Sequence, residues 1–238
     1  MKVFIIGATG GIGSALARRL ASKGTPLVLA ARDENRLKTL SNELHDSPYH
    51  ALNAADFDAL EKAVAAAGPL SGIVNCAGSL LLKPAHLTTE REYRDTIELS
   101  LTTAFSTVRA GAKALMSTGG SIVLCATAAA RTGFANHEAI AAAKGGVIGL
   151  TLSAAASYAA RNIRVNCVAP GLVDTGLTTR ITSSEAALKS SQAMHALGRI
   201  GRPEDIASAI AWLLDAENSW VTGQTIGVDG GLGTLRPR

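Results

Sequence analysis

The sequence predicts a doubly wound α/β fold, with a mostly parallel sheet of seven strands and helices on both faces. Three observations predict it. Short, continuously apolar runs alternate with helix-patterned segments along the chain. The first of these runs breaks into a glycine-rich loop that opens a helix. The composition is that of a core-forming chain, with 47% hydrophobic and only 18% charged residues among 238. Continuous apolar strands separated by helices are what a parallel sheet covered on both faces requires.

The first strand is Val3-Phe4-Ile5-Ile6, the loop is Gly7-Ala8-Thr9-Gly10-Gly11-Ile12-Gly13, and a helix follows over 14–20. Four glycines in seven positions let the backbone turn tightly and approach a ligand closely. The helix that follows offers unpaired amides and a positive dipole end to a phosphate. The loop is not a P-loop, because no Gly-Lys-Ser/Thr follows, and its G-x-x-x-G-x-G spacing differs from the G-x-G-x-x-G fingerprint. Further strands are expected at 26–30, 49–52, 72–75, 121–125, 163–168 and 224–228. Helices are expected at 34–44, 57–67, 90–116, 139–160 and 203–214. No repeat or linker interrupts the pattern, so one domain is expected over 1–238.

Composition excludes several classes. The net charge of +4 comes without clustered Lys/Arg, and aromatics are few, which argues against nucleic acid as a partner. Cys76, Cys125 and Cys167 are isolated, odd in number and set in apolar runs. They are expected to be buried reduced thiols of a cytoplasmic protein rather than disulfides or a metal site. The first residues superficially resemble a signal peptide, but the glycines interrupt its apolar stretch. The Ala-rich run 139–160 carries Lys144 and several hydroxyls, so a helix packed inside the protein is expected there and no membrane span.

In a doubly wound sheet, ligands bind beyond the carboxyl ends of the strands, near the point where strand order reverses. The strand ends here carry Ala31-Arg32-Asp33, Asn75-Cys76-Ala77-Gly78, Ala126-Thr127 and Ala169-Pro170-Gly171-Leu172-Val173-Asp174-Thr175. Small and hydroxylated side chains gather there, as a closely approached ligand needs.

These residues resemble the short-chain dehydrogenase/reductase family along essentially the whole chain. The glycine loop resembles the family's cofactor loop, and Asn75-Cys76-Ala77-Gly78 its Asn-Asn-Ala-Gly element. Asn166-Cys167-Val168-Ala169-Pro170-Gly171 with Thr175 resembles the segment after the sixth strand. The stretches 198–207 and 221–231 resemble its C-terminal signature. The resemblance implies a Rossmann fold, a nicotinamide dinucleotide, and hydride exchange with an alcohol or carbonyl carbon. It also implies a homo-oligomer, tetramer or dimer, assembled through the long helices after the fourth and fifth strands. Implied cofactor residues are Gly7, Thr9, Gly11, Ile12, Gly13, Arg32, Asn53, Asn75, Ala77, Gly78, Lys144, Pro170, Gly171, Val173 and Thr175.

The choice of dinucleotide is argued physically. An acidic residue at the end of the second strand holds the ribose 2′-OH of NAD, whereas an Arg nearby suits the 2′-phosphate of NADP. Ala31 fills the acidic position and Arg32 follows, so NADP(H) is favoured over NAD(H). Such a charge-assisted contact is worth roughly 1.5–3 kcal/mol, or about ten- to a hundredfold in affinity.

The family's catalytic Asn, Ser, Tyr and Lys are matched only at the lysine. Ser100 aligns with the asparagine, Thr127 with the serine, and Ile140, four residues before Lys144, with the tyrosine. Tyrosine is the proton donor, and isoleucine cannot donate; losing a positioned acid typically costs about 10²–10⁴ in rate. His137, seven residues before Lys144, is expected on the same helix face as a replacement donor, a spacing similar to that of enoyl-acyl carrier protein reductases. The expected catalytic set is therefore Lys144, Thr127, His137 and Ser100, with no metal and a small-molecule substrate beneath a lid around 176–198. The alternative is a catalytically silent NADP-binding sensor or assembly subunit.

Overall fold

The computed structural model describes residues 2–236; Met1, Pro237 and Arg238, the ends of the expected 1–238 domain, lie outside the described residues. Seven strands form one sheet: β1 (Lys2–Ile6), β2 (Leu27–Ala31), β3 (Tyr49–Ala51), β4 (Leu70–Asn75), β5 (Gly120–Cys125), β6 (Ile163–Pro170) and β7 (Thr225–Val228). Their order is β3-β2-β1-β4-β5-β6-β7, and every pair is parallel. Strand order reverses between β1 and β4, the place where a doubly wound sheet opens a crevice at its carboxyl edge.

The helices are α1 (Gly11–Ala21), α2 (Glu34–Glu43), α3 (Phe57–Ala66), α4 (Glu90–Ile97), α5 (Thr103–Leu115), α6 (Glu138–Tyr158), α7 (Thr179–Thr182), α8 (Glu185–Met194) and α9 (Pro203–Leu214). Strand side chains alternate between two cores. Phe4, Ile6, Ile73 and Ile122 meet Leu60 and Val64 of α3, Val108 and Leu115 of α5, and Val147 of α6. Val3, Ile5, Val74 and Val123 meet Leu16 and Leu20 of α1, Leu37 of α2, and Ile206 and Ile210 of α9. The five central strands are apolar on both faces because each face is covered, whereas the edge strands β3 and β7 are part-exposed.

Two boundaries differ from the expected ones in ways that matter for the site. The helix expected over 90–116 is interrupted by a π-helical turn, Glu98–Thr102, between α4 and α5. The sixth strand runs on through Pro170, carrying its end to the cavity described below. The long helix α6 packs into the fold, with Ala143, Val147, Thr151, Ala154 and Ala155 buried and Lys144 only 6% exposed.

Candidate cofactor and active site

A cavity of about 530 Å³ runs along the carboxyl ends of β1, β2, β4, β5 and β6, across the reversal point. Its floor is the glycine loop. Gly7 has φ +73°, and a Cβ there would stand 2.6 Å from the Ala77 amide nitrogen, so this turn tolerates only glycine. A Cβ on Gly11 would stand 2.6 Å from Thr175 Cγ2, and one on Gly13 would strike the Gly7 carbonyl oxygen. The loop therefore folds onto α1 and onto the β4 and β6 loops only because these side chains are absent. Gly10 caps α1, and no side chain bonds its free amides. A bare, positively polarised helix end facing a cavity fits a pyrophosphate.

At the end of β2, Ala31 and Arg32 line the cavity, and so does Arg36, which the sequence reading did not single out. Asp33 is the nearest carboxylate, but its Oδ1 accepts from the Arg36 backbone N–H at 3.0 Å as the cap of α2. The Arg36 guanidinium donates to the Thr9 carbonyl at 2.5 Å. Asp33 also lines the cavity, with only one carboxylate oxygen engaged; the exposed Arg32 and the Arg36 guanidinium outnumber it and supply donors of the kind a phosphate takes. Asn53 stands at the rim, its Oδ1 accepting from Ala55 N–H at 3.1 Å. A second cavity of about 590 Å³ shares Asn53; in its lining Arg94 pairs with Glu90, Asp56 caps α3, and Glu98 accepts only a long bond from Asn53 Nδ2 at 3.4 Å.

Asn75 does not line the cavity. It is 2% exposed; its Nδ2 donates to Thr107 Oγ1 at 3.1 Å, and its Oδ1 accepts from Ala77 N–H at 2.8 Å. It shapes the turn that presents Ala77 and Gly78. Past β6, Pro170, Gly171, Val173 and Thr175 all line the cavity. Buried His195 holds this edge: Nδ1 meets the Ser191 carbonyl at 2.6 Å, and Nε2 accepts from Leu172 N–H at 3.2 Å. A Cβ on Gly171 would stand 2.7 Å from that Nε2, so the glycine is needed for the histidine to reach the backbone. The segment 176–198 carries α7 and α8 and reaches the cavity through Gly176, Leu177 and Thr178.

Lys144 lies at the inner end of the cavity, donating from Nζ to the Cys125 carbonyl at 2.7 Å. Gly78 leaves it room, since a Cβ there would come within 3.3 Å of Nζ. Burial pushes the Lys144 ammonium below its ordinary range, partly offset by the thiols around it. Thr127 lines the cavity with its hydroxyl accepting weakly from Ala129 N–H at 3.3 Å. Ser100 is 1% exposed in the π-helical turn and sits behind the wall; its hydroxyl lies 3.2 Å from that of Ser79, which does line the cavity. Ser79 went unnoticed in the sequence, although it directly follows Asn75-Cys76-Ala77-Gly78.

His137 is not brought to the cavity. Sharing a face with Lys144 requires helical geometry from 137 onward, but His137 is the N-cap, with φ −112° and ψ 12°. Its ring turns outward, Nδ1 meeting the Ala135 carbonyl at 2.7 Å and the ring packing at 5.6 Å from Phe134. The wall it was expected to share is formed by Ile140.

Residues 7–233 match the family model described as enoyl-(acyl carrier protein) reductase. A 3-oxoacyl-[acyl-carrier-protein] reductase of Vibrio cholerae is 33% identical, the match covering 96% of this chain and 95% of that protein. The chain belongs to the short-chain dehydrogenase/reductase family. The cis-4-hydroxycyclohexanecarboxylate dehydrogenase of Sinomonas cyclohexanicum is 35% identical over 95% of this chain and 94% of its own length. Among solved structures, an actinorhodin polyketide ketoreductase variant with NADPH superposes with a TM-score of 0.92 at 29% identity, covering 98% of each chain.

Proposed function

We propose that this short-chain family member is an NADP(H)-dependent oxidoreductase acting between a carbonyl and an alcohol carbon, or on an activated enone, of a small molecule. The observation that carries this reading is one continuous cavity with two arginines, Arg32 and Arg36, at one end, and a buried lysine and a threonine hydroxyl at the other. The dinucleotide, when bound, supplies or accepts the hydride. The glycine loop seats its pyrophosphate, Arg32 and Arg36 hold the 2′-phosphate, and Asn53 meets the adenine edge. Lys144 holds the nicotinamide ribose. Thr127 polarises the substrate oxygen, with Ser79 and Ser100 forming a hydroxyl relay behind it. His137 is omitted from this set because its ring faces Ala135 and Phe134.

The family relatives named above support the reading: one is a 3-oxoacyl reductase, and the ketoreductase variant was solved with NADPH. The segment 176–198 is the proposed substrate lid of a single domain. Helices α5 and α6 are the proposed face of a homo-oligomer, and the free thiols suit a cytoplasmic protein. The test is to titrate NADPH by fluorescence and then follow its oxidation against a panel of 3-oxo thioesters, ketones, aldehydes and enones. Tight binding with turnover of one class is expected. Binding without any turnover favours a second reading, a catalytically silent NADP sensor, which the apolar Ile140 wall supports. Failure to bind NADPH overturns both.

A further inference from the structure

The cysteines at the ends of β4 and β5 are neighbours. The two strands pair in register at Gly72↔Ser121, Ile73↔Ile122 and Val74↔Val123. Extending that register by two residues sets Cys76, the first residue past β4, opposite Cys125 at the end of β5. Adjacent strands run about 4.7–4.9 Å apart, within the roughly 4.4–6.8 Å that a disulfide spans between Cα atoms. Both side chains pack against the core that holds Val74 and Val123, so both sulfurs project from the same face of the sheet. Both also line the cavity and are part-exposed, whereas Cys167 is fully buried.

We propose that Cys76 and Cys125 are an oxidisable thiol pair that forms a reversible disulfide across the cofactor cavity, made by a hydroperoxide and undone by a dithiol. The Cys125 thiol is held below its ordinary value chiefly by its Cys76 neighbour and also by the nearby Lys144 charge, against the effect of burial. Cys76 is pushed well above its ordinary value, chiefly by that same partner and by burial. Cys125 is therefore the attacking thiolate and Cys76 the resolving thiol. The Cys125 sulfur attacks one peroxide oxygen, forming S–O and breaking O–O; an alcohol leaves, or water when the oxidant is hydrogen peroxide, taking the thiol proton. The Cys76 sulfur then attacks the sulfenic sulfur, S–S forms, S–O breaks, and water leaves with the second thiol proton. Two thiols are oxidised by two electrons, and one hydroperoxide is reduced.

The bond acts on the cavity through two contacts. Cys76 precedes Ala77, whose amide nitrogen packs against Gly7, and Cys125 carries the carbonyl that anchors Lys144. Drawing the sulfurs into bonding distance displaces both. This consequence, but not the bond itself, rests on the cavity being the dinucleotide site.

The experiment exposes reductant-free protein to hydrogen peroxide, with and without saturating NADPH. Denatured thiol counts should fall from three to one, the mass should drop by two hydrogens, and digestion should yield a Cys76–Cys125 linked peptide. Dithiothreitol should reverse all three changes. Oxidised protein should bind NADPH at least about tenfold more weakly, and prebound NADPH should block the reaction. In Cys76→Ser, a dione probe should trap Cys125 sulfenic acid with no cross-link. Three thiols persisting, a bond to Cys167, or a bond between chains overturns the proposal. A reversible Cys76–Cys125 bond that NADPH neither prevents nor senses upholds the thiol pair and counts against the cavity reading.

Discussion

Arg32 and Asp33 are sequence neighbours with opposite uses. Asp33 uses one carboxylate oxygen to cap the first turn of α2, while Arg32 is exposed at the same strand end, on the lining of the cavity. Removing that guanidinium should therefore act on the 2′-phosphate alone. Arg32→Ala is expected to weaken NADPH by about ten- to a hundredfold, the 1.5–3 kcal/mol of a charge-assisted bond, and NADH by far less. Calorimetric titration of both dinucleotides checks it, and equal losses would remove Arg32 from the phosphate site. Arg36 is less legible in the sequence than Arg32, because its place at the cavity depends on how α2 leaves the sheet and on its bond to the Thr9 carbonyl. The same holds for His195, whose reach to Leu172 joins residues 23 apart along the chain. Glycines 7, 11 and 13 are legible because their spacing before a helix has few other uses.

At the scale of elements, the five central strands are readable because each is a short apolar run between turn residues, and a two-faced buried strand needs nothing more; the part-exposed edge strands β3 and β7 are readable from their place in the alternation with helices. The π-helical turn between α4 and α5 is not. Glu98-Leu99-Ser100-Leu101-Thr102 suits an α-helix as well, and one extra residue per turn leaves no compositional mark. The expectation for His137 fails at the same scale: helix α6 starts one residue later than its face-sharing with Lys144 needs. The start of α4 carries its own prediction. Glu92 accepts from the Thr89 backbone N–H and from Lys83 Nζ, each at 2.8 Å, in a capping box. These bonds, Lys83 first, lower its pKa from 4.5 to about 2. A carboxyl whose folded pKa is depressed contributes stability that is complete above its unfolded value and fades as pH falls through its folded one. The contribution should thus be present at pH 5 and vanish between about 4.5 and 2. Thermal melts of wild type and Glu92→Gln should converge over that interval, with the gap narrowed by salt because the pair is part-exposed. A gap that stays constant with pH would show that the ionised pair contributes nothing.

At the scale of the whole molecule, helices α5 and α6 leave apolar surface open on their outer side. Between α5 and α6 runs a groove lined by Val108, Ala112, Leu150, Ala154 and Tyr158, flanked by Phe105 and Met116, which are 49% and 40% exposed. Leu152 of α6 stands 56% exposed. Small residues along both helices allow a second pair to approach closely, and apolar area left open beside them rewards that approach at about 25 cal/mol per Å². An isologous contact uses the same patch of both subunits, so one substitution is felt twice. Leu152→Glu adds a carboxylate from each subunit to such an apolar interface, yet in a lone subunit it only exchanges one exposed side chain for another. Light scattering after gel filtration should show the wild type as a dimer or tetramer and the variant shifted toward monomer. The variant's melting temperature at low concentration should stay close to that of dissociated wild type. A wild type that runs as a monomer at every concentration removes the assembly, and a variant that keeps the wild-type mass moves the interface elsewhere on the molecule.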